Sequence, residues 1–243
     1  MLWSDFSVKY SSKRFLGLRT KKSYCYYEGD TMKRFFYGIL GIWAIITCVC
    51  KAAPEPAIIP AEGQWTLDME FTHPQQITLP QGSGKKPAQF WYTIITLTNN
   101  TDNDVDFYPK CDLMTDSFQI IPAGKFVSPV LFEQIKKRHK SRYPFLEPLN
   151  NAGIKVLQGE DNMKDIAVIW PDFDVQTNGV KLFITGLSNE TAVVSHPILK
   201  DEMGEQLQVF LRKTLELSYS LRGDQALRSS ASFAFQGKRW IMR

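Results

Sequence analysis

The chain has little of what metal or thiol catalysis requires. Its three histidines, His73, His139 and His196, lie far apart and outside any HxH or HExxH pattern. A transition-metal site draws on roughly three or more imidazole or thiolate ligands, so neither a metal nor another cofactor is expected. Cysteine is equally scarce: Cys25, Cys48, Cys50 and Cys111 show no CxxC or CxxCH spacing. GxSxG, GxGxxG and GxxxxGKS/T are missing, which removes the sequence signatures of common hydrolases and nucleotide enzymes. No run reaches the ~20 apolar residues of a membrane-spanning helix; the longest covers residues 35–50. An excess of basic charge is also lacking once the chain is divided. Residues 1–52 hold nine Lys/Arg and three Asp/Glu, leaving 20 against 22 in the remainder. The formal charge of +4 is therefore local, and no nucleic-acid partner is expected.

The basic N-terminal part has a recognisable order. Lys33-Arg34 precede the apolar run at 35–50, and Lys51-Ala52-Ala53-Pro54 follows. A short positive segment, an apolar stretch and small residues at its exit form a secretory signal pattern over residues 32–52. Cleavage is expected after Ala52, with an uncleaved anchor as the alternative and the only expected membrane attachment. The pattern starts at Met32, not Met1, and residues 1–31 carry no periodicity. Glu28-Gly29 can be encoded by a purine-rich stretch at ribosome-binding distance from Met32. Translation is therefore expected to start at Met32, making residues 1–31 an untranslated upstream extension; a genuine extension is the alternative. After cleavage Cys111 is the one cysteine left, so the domain must be held by its core and not by a disulfide.

Beyond a linker at residues 53–64, short apolar runs of period two dominate. Trp65, Leu67, Met69 and Phe71 share one face, and residues 90–98 (FWYTIITLT) read as a central strand. Asn99-Asn100-Thr101-Asp102-Asn103-Asp104 reads as a hairpin turn into a partner strand at 105–113. Residues 130–140 (VLFEQIKKRHK) have helical spacing after Pro129. Further strands are expected at 119–121, 154–157, 165–170, 180–185, 191–195, 207–221 and 230–241. Strands separated by turn signals, with one short helix inserted, predict an all-β antiparallel β-sandwich over residues 65–243.

The segment FWYTIITLTNNTDNDVDFYP resembles the early strand–turn–strand of bacterial immunoglobulin-like sandwiches. DIAVIWPDFDVQTNGVKLFITGLSNETAVV and the closing FQGKRWIMR are similar to exported bacterial proteins. The resemblance implies an immunoglobulin-like fold and carries no catalytic residues with it.

Three clusters are candidate sites. Asp102, Asp104 and Asp106 space their carboxylates like the opening of a calcium loop. Phe107 then stands where the turn glycine belongs and Leu113 where the bidentate glutamate belongs, so a solvated loop is the plainer expectation. Trp170, Asp172, Phe173 and Asp174 set two carboxylates beside two aromatics, the chemistry of a sugar-binding loop or, less readily, of a glycosidase. Lys136, Lys137, Arg138, Lys140 and Arg142 can meet a phosphate, an anionic lipid surface or an acidic partner, or simply end a helix in solvent. With no catalytic constellation, the expected function is a non-catalytic structural, assembly or accessory module of a periplasmic or cell-envelope complex, working through a protein partner. A glycan- or ligand-binding sandwich is the alternative.

Overall fold

The computed structural model describes residues 56–59, 62–82, 84–151, 155–223 and 231–243. The upstream extension, the signal pattern and Cys25, Cys48 and Cys50 lie outside the described residues. The compact unit runs from Ala53 to Arg243. It is β-rich, with the strands β1 (Ala57–Ile58), β2 (Asp68–Phe71), β3 (Gln75–Leu79), β4 (Ala88–Thr98), β5 (Val105–Asp106), β6 (Lys110–Thr115) and β7 (Ile120–Pro122). After helix α1 (Pro129–His139) come β8 (Glu147–Pro148), β9 (Lys155–Val156), β10 (Lys164–Pro171), β11 (Gly179–Thr185), β12 (Thr191–Lys200), β13 (Gln206–Arg222) and β14 (Ser232–Met242).

Two sheets form the body. In one, β4 is flanked by β10 on one edge and by β2 and β3 along the other, and β8 adds a short parallel pair to β10. In the other, β7, β6, β11 and β13 follow in order, and β14 pairs with the far edge of β13. Alternation decides what lies between them. Trp91, Ile95 and Leu97 of β4 and Ile166, Val168 and Trp170 of β10 meet Leu113, Leu182, Leu215 and Leu217 of the facing sheet. A sheet strand that is apolar on both faces must bury both, and β4 is such a strand. Its other face (Phe90, Tyr92, Ile94), with Ala167 and Ile169 of β10, is covered by Leu131, Phe132 and Ile135 of α1. Ser128 caps this helix, accepting a hydrogen bond from the Leu131 amide.

The structure changes three details of the expected layout. Residues 105–113 do not pair with β4: they divide into β5, which pairs with β9, and β6, which belongs to the other sheet. The polar loop before them is therefore a crossing between sheets and not a hairpin turn. Asn99 is almost fully buried there, donating to the Asn103 and Val156 carbonyls and accepting from Thr101. Residues 75–79, among which no strand is expected, form β3 and continue the edge begun by β2 after a kink at Thr72-His73-Pro74. His196-Pro197, expected to end a strand, sit within β12 at a bulge, where His196 Nδ1 accepts the Ile198 and Leu199 amides.

β11 and β12 pair in succession with the same edge of β13. Gly186 begins the break between them, with φ +98°, and a Cβ there would lie 2.6 Å from the Tyr108 carbonyl oxygen. Only glycine fits so close to a backbone. Beyond this break the hairpin leaves the body. β1 pairs with β12 at Val193 and Ala192, and the Arg243 and Arg212 backbones close on each other. Past those points the described residues form a two-stranded arm.

Candidate functional site

The residues around the end of β10 are a candidate for a ligand, and their two aromatic rings face inward while Asp174 is exposed. Trp170 is 0% exposed and lies opposite Trp91 in the inter-sheet core. Phe173 is buried and stacks on Trp91, the ring centroids being 5.9 Å apart. The Trp91 indole N–H donates to Asp172 Oδ1 at 2.8 Å, and Asp174 Oδ1 accepts the Gln176 amide at 3.0 Å. The rings are thus core and one carboxylate secures a turn, so the loop offers no aromatic platform for a sugar.

The acidic loop is likewise held against the segment that carries β9. Asp104 Oδ1 accepts the Gln158 amide, and Asp106 stands opposite Lys155 in the β5–β9 pair. Among the described residues no group of three or more His, Cys, Asp or Glu is placed to hold a metal ion. Cys111 is buried in the core, where burial first and the neighbouring Asp112 charge second push its thiol up to about 12. A thiol held protonated at neutral pH is a poor nucleophile.

Two charged groups that the sequence pattern had not singled out lie on the outer face of the β6–β11–β13–β14 sheet. Asp112, Phe183, Glu216 and Arg239 form one cross-strand row. Glu216 is paired with Lys181 at 3.2 Å and Arg239 at 3.0 Å, while Asp112 is paired with Lys110 and Arg243, both at 3.3 Å. Arg243 also lies over the Phe183 ring at 4.2 Å. Burial acts to raise the Glu216 carboxyl, but hydrogen bonds and charge from Arg239 and Lys181 prevail and hold it below its usual range. Alternation signalled that Glu216 faces away from the core; the pairing depends on strand neighbours that the sequence does not name.

The five cations of residues 136–142 end α1 and enter the following turn. Arg138 is tied inward, donating to Tyr92 Oη and the Gln76 carbonyl. The buried Tyr92 hydroxyl donates to Gln75 Oε1 at 3.0 Å and lies 2.8 Å from His139 Nε2. Burial first, then the Arg138 and Arg142 charges, lower the His139 pKa. Lys137, Lys140 and Arg142 are exposed. None of the five makes a salt bridge with a described carboxylate.

The arm is the other feature that the sequence reading missed. Ile198 is 82% exposed, Met203 91% and Phe210 69%, with Leu199 and Leu207 also in solvent. Its tip is set by Asp201, whose Oδ1 accepts the Met203 and Glu205 amides. The clue was the alternation of 207–221, which begins well before the residues that the facing sheet can cover.

Compared with family models, curated proteins and solved structures, the chain finds no match. Among the described residues no helix is long and apolar enough to cross a membrane.

Proposed function

We propose that this chain is a non-catalytic structural, assembly or accessory module of an exported, cell-envelope complex, and that the β12–β13 arm is the element with which it docks on a protein partner. The observation that carries the reading is the arm itself. An isolated two-stranded hairpin is marginal in water, yet this one carries Ile198 and Met203 outward, with Phe210 exposed at its base opposite Val193. Large apolar side chains exposed along a projecting hairpin are the composition of an interface. Its open strand edges can also accept a partner strand.

The immunoglobulin-like part of the proposal rests on strand order. Taking β2/β3, β4 and β10 as strands A, B and E, and β7, β6, β11 and β13 as C′, C, F and G, gives a neighbour order compatible with that fold, with β14 as an added strand beyond G. The arm is then a lengthened F–G hairpin. Export rests on the signal pattern at residues 32–52, outside the described residues. The absence of catalysis is argued from occupancy: Asp112 and Glu216 are engaged by cations, and Cys111 is buried with a raised pKa.

The test is purification of a tagged chain from its own cells, alongside Ile198→Ser/Met203→Ser/Phe210→Ser. A stoichiometric protein partner retained by the wild type and lost by the folded triple variant is expected. An identical set of bound proteins in both would refute the arm as the docking element.

A further inference from the structure

The end of α1 presents a second surface, in a different layer of the molecule from the arm. The turn that follows the helix is fastened from inside. The Arg142 and Tyr143 amides both donate to the His139 carbonyl, the Leu146 amide donates to the Tyr143 carbonyl, and the Tyr143 and Leu146 side chains are buried. Phe145, between these two anchors, cannot follow them into the core and stands 83% exposed. A single phenylalanine in solvent is ordinary; its surroundings here are not. Lys140 and Arg142 precede it along the chain and the exposed Glu147 follows it, while Lys137 lies on the solvent side of α1, opposite the buried Leu131 and Ile135. Val130, two helical turns before Lys137 on the same side, is 60% exposed. Glu133 is the one carboxylate on that side of the helix.

Cations that make no salt bridge with a described carboxylate, borne with exposed apolar side chains on one helix and its following turn, match the boundary of an anionic bilayer, where the charges meet headgroups and the ring enters the acyl boundary. An acidic protein surface would pair with the cations but has no use for a protruding ring without a pocket; a free phosphate would use neither Phe145 nor Val130. We infer that the solvent side of α1, with Lys137, Lys140, Arg142, Phe145 and Val130, docks the domain on an anionic lipid surface. Lys136 and Arg138 support it from the helix flank, since Arg138 is also bound to Tyr92 and Gln76. The inference does not depend on the arm having a partner.

The test is sedimentation of the full chain with vesicles of phosphatidylcholine alone or with phosphatidylglycerol in equal parts. The N-terminal apolar run is common to every variant, so differences between variants report on the α1 surface. Lys137→Gln/Lys140→Gln/Arg142→Gln is expected to lower partition onto the anionic vesicles by about tenfold or more, and Phe145→Ser by about threefold. The anionic preference of the wild type should weaken between about 0.05 and 0.5 M salt. All these side chains are in solvent, so melting temperatures should stay level. Partition of the charge variant equal to that of the wild type would overturn the inference. So would a charge-dependent complex with polyglutamate in place of the vesicles. Failure of this test would leave the arm untouched, and arm variants should bind vesicles normally.

Discussion

β13 is one strand with two physical lives. From Thr214 to Tyr219 its inward side chains Leu215, Leu217 and Tyr219 lie under the opposing sheet, and its outward Glu216 is closed over by two cations. From Gln206 to Arg212 the same alternation continues through Leu207, Val209 and Leu211, but Leu207 is exposed and Val209 and Leu211 are only half-buried, while Phe210 on the other face is left in solvent. The change falls where β11 gives way to β12 along the strand's edge. An apolar period of two therefore does not itself specify a core. It specifies a face, and whether that face is covered depends on how far the facing sheet extends.

The comparison can be broken from its strong side first. Leu217→Ala should cost about 2–5 kcal/mol, seen in denaturant unfolding, because the surrounding core cannot fully collapse into the space. Gly186→Ala tests the junction. The positive φ and the 2.6 Å approach to the Tyr108 carbonyl leave no room for a methyl group. A loss of about 1–3 kcal/mol is expected on thermal unfolding.

The support beneath α1 sharpens the contrast through pH. His139 has a folded pKa below its usual 6.5, so the unfolded chain binds its proton first as pH falls. Its contribution to stability is complete above 6.5 and is lost progressively below it, towards the lowered folded value. His139→Gln should flatten the pH dependence of the melting temperature in that acid window. The smallest effect belongs to the arm: Ile198→Ser/Phe210→Ser should change unfolding free energy by no more than about 0.5 kcal/mol. A loss as large as that of Leu217→Ala would mean that the arm is part of the core after all.

Much of the β-rich layout was legible because its strands are strongly patterned. Residues 90–98, 165–170 and 180–185 have β-branched and aromatic runs that match β4, β10 and β11 closely. The helix was equally plain after Pro129. What failed was partnership. Asn99-Asn100 looked like a hairpin turn because Asn and Asp serve both turns and sheet crossings, and local chemistry does not state which strand comes next. Trp170 and Phe173 illustrate the same gap for the site. An aromatic pair beside carboxylates is compatible with a sugar platform or a core edge, and burial chose the core. The exposure of Lys137, Lys140 and Arg142 is legible in the sequence because lysine and arginine resist burial. Phe145 gave no signal of its own, since only the anchoring of Tyr143 and Leu146 forces it outward.

The central claim is that the arm exists for a partner. Placing a photo-crosslinking amino acid at Phe210, and in a separate chain at Lys85 on the exposed loop before β4, tests it in the native cell. The account predicts one discrete cross-linked protein from position 210 and none of that size from position 85. Equal labelling from both positions, or no adduct at 210 with the chain folded and present, would contradict it.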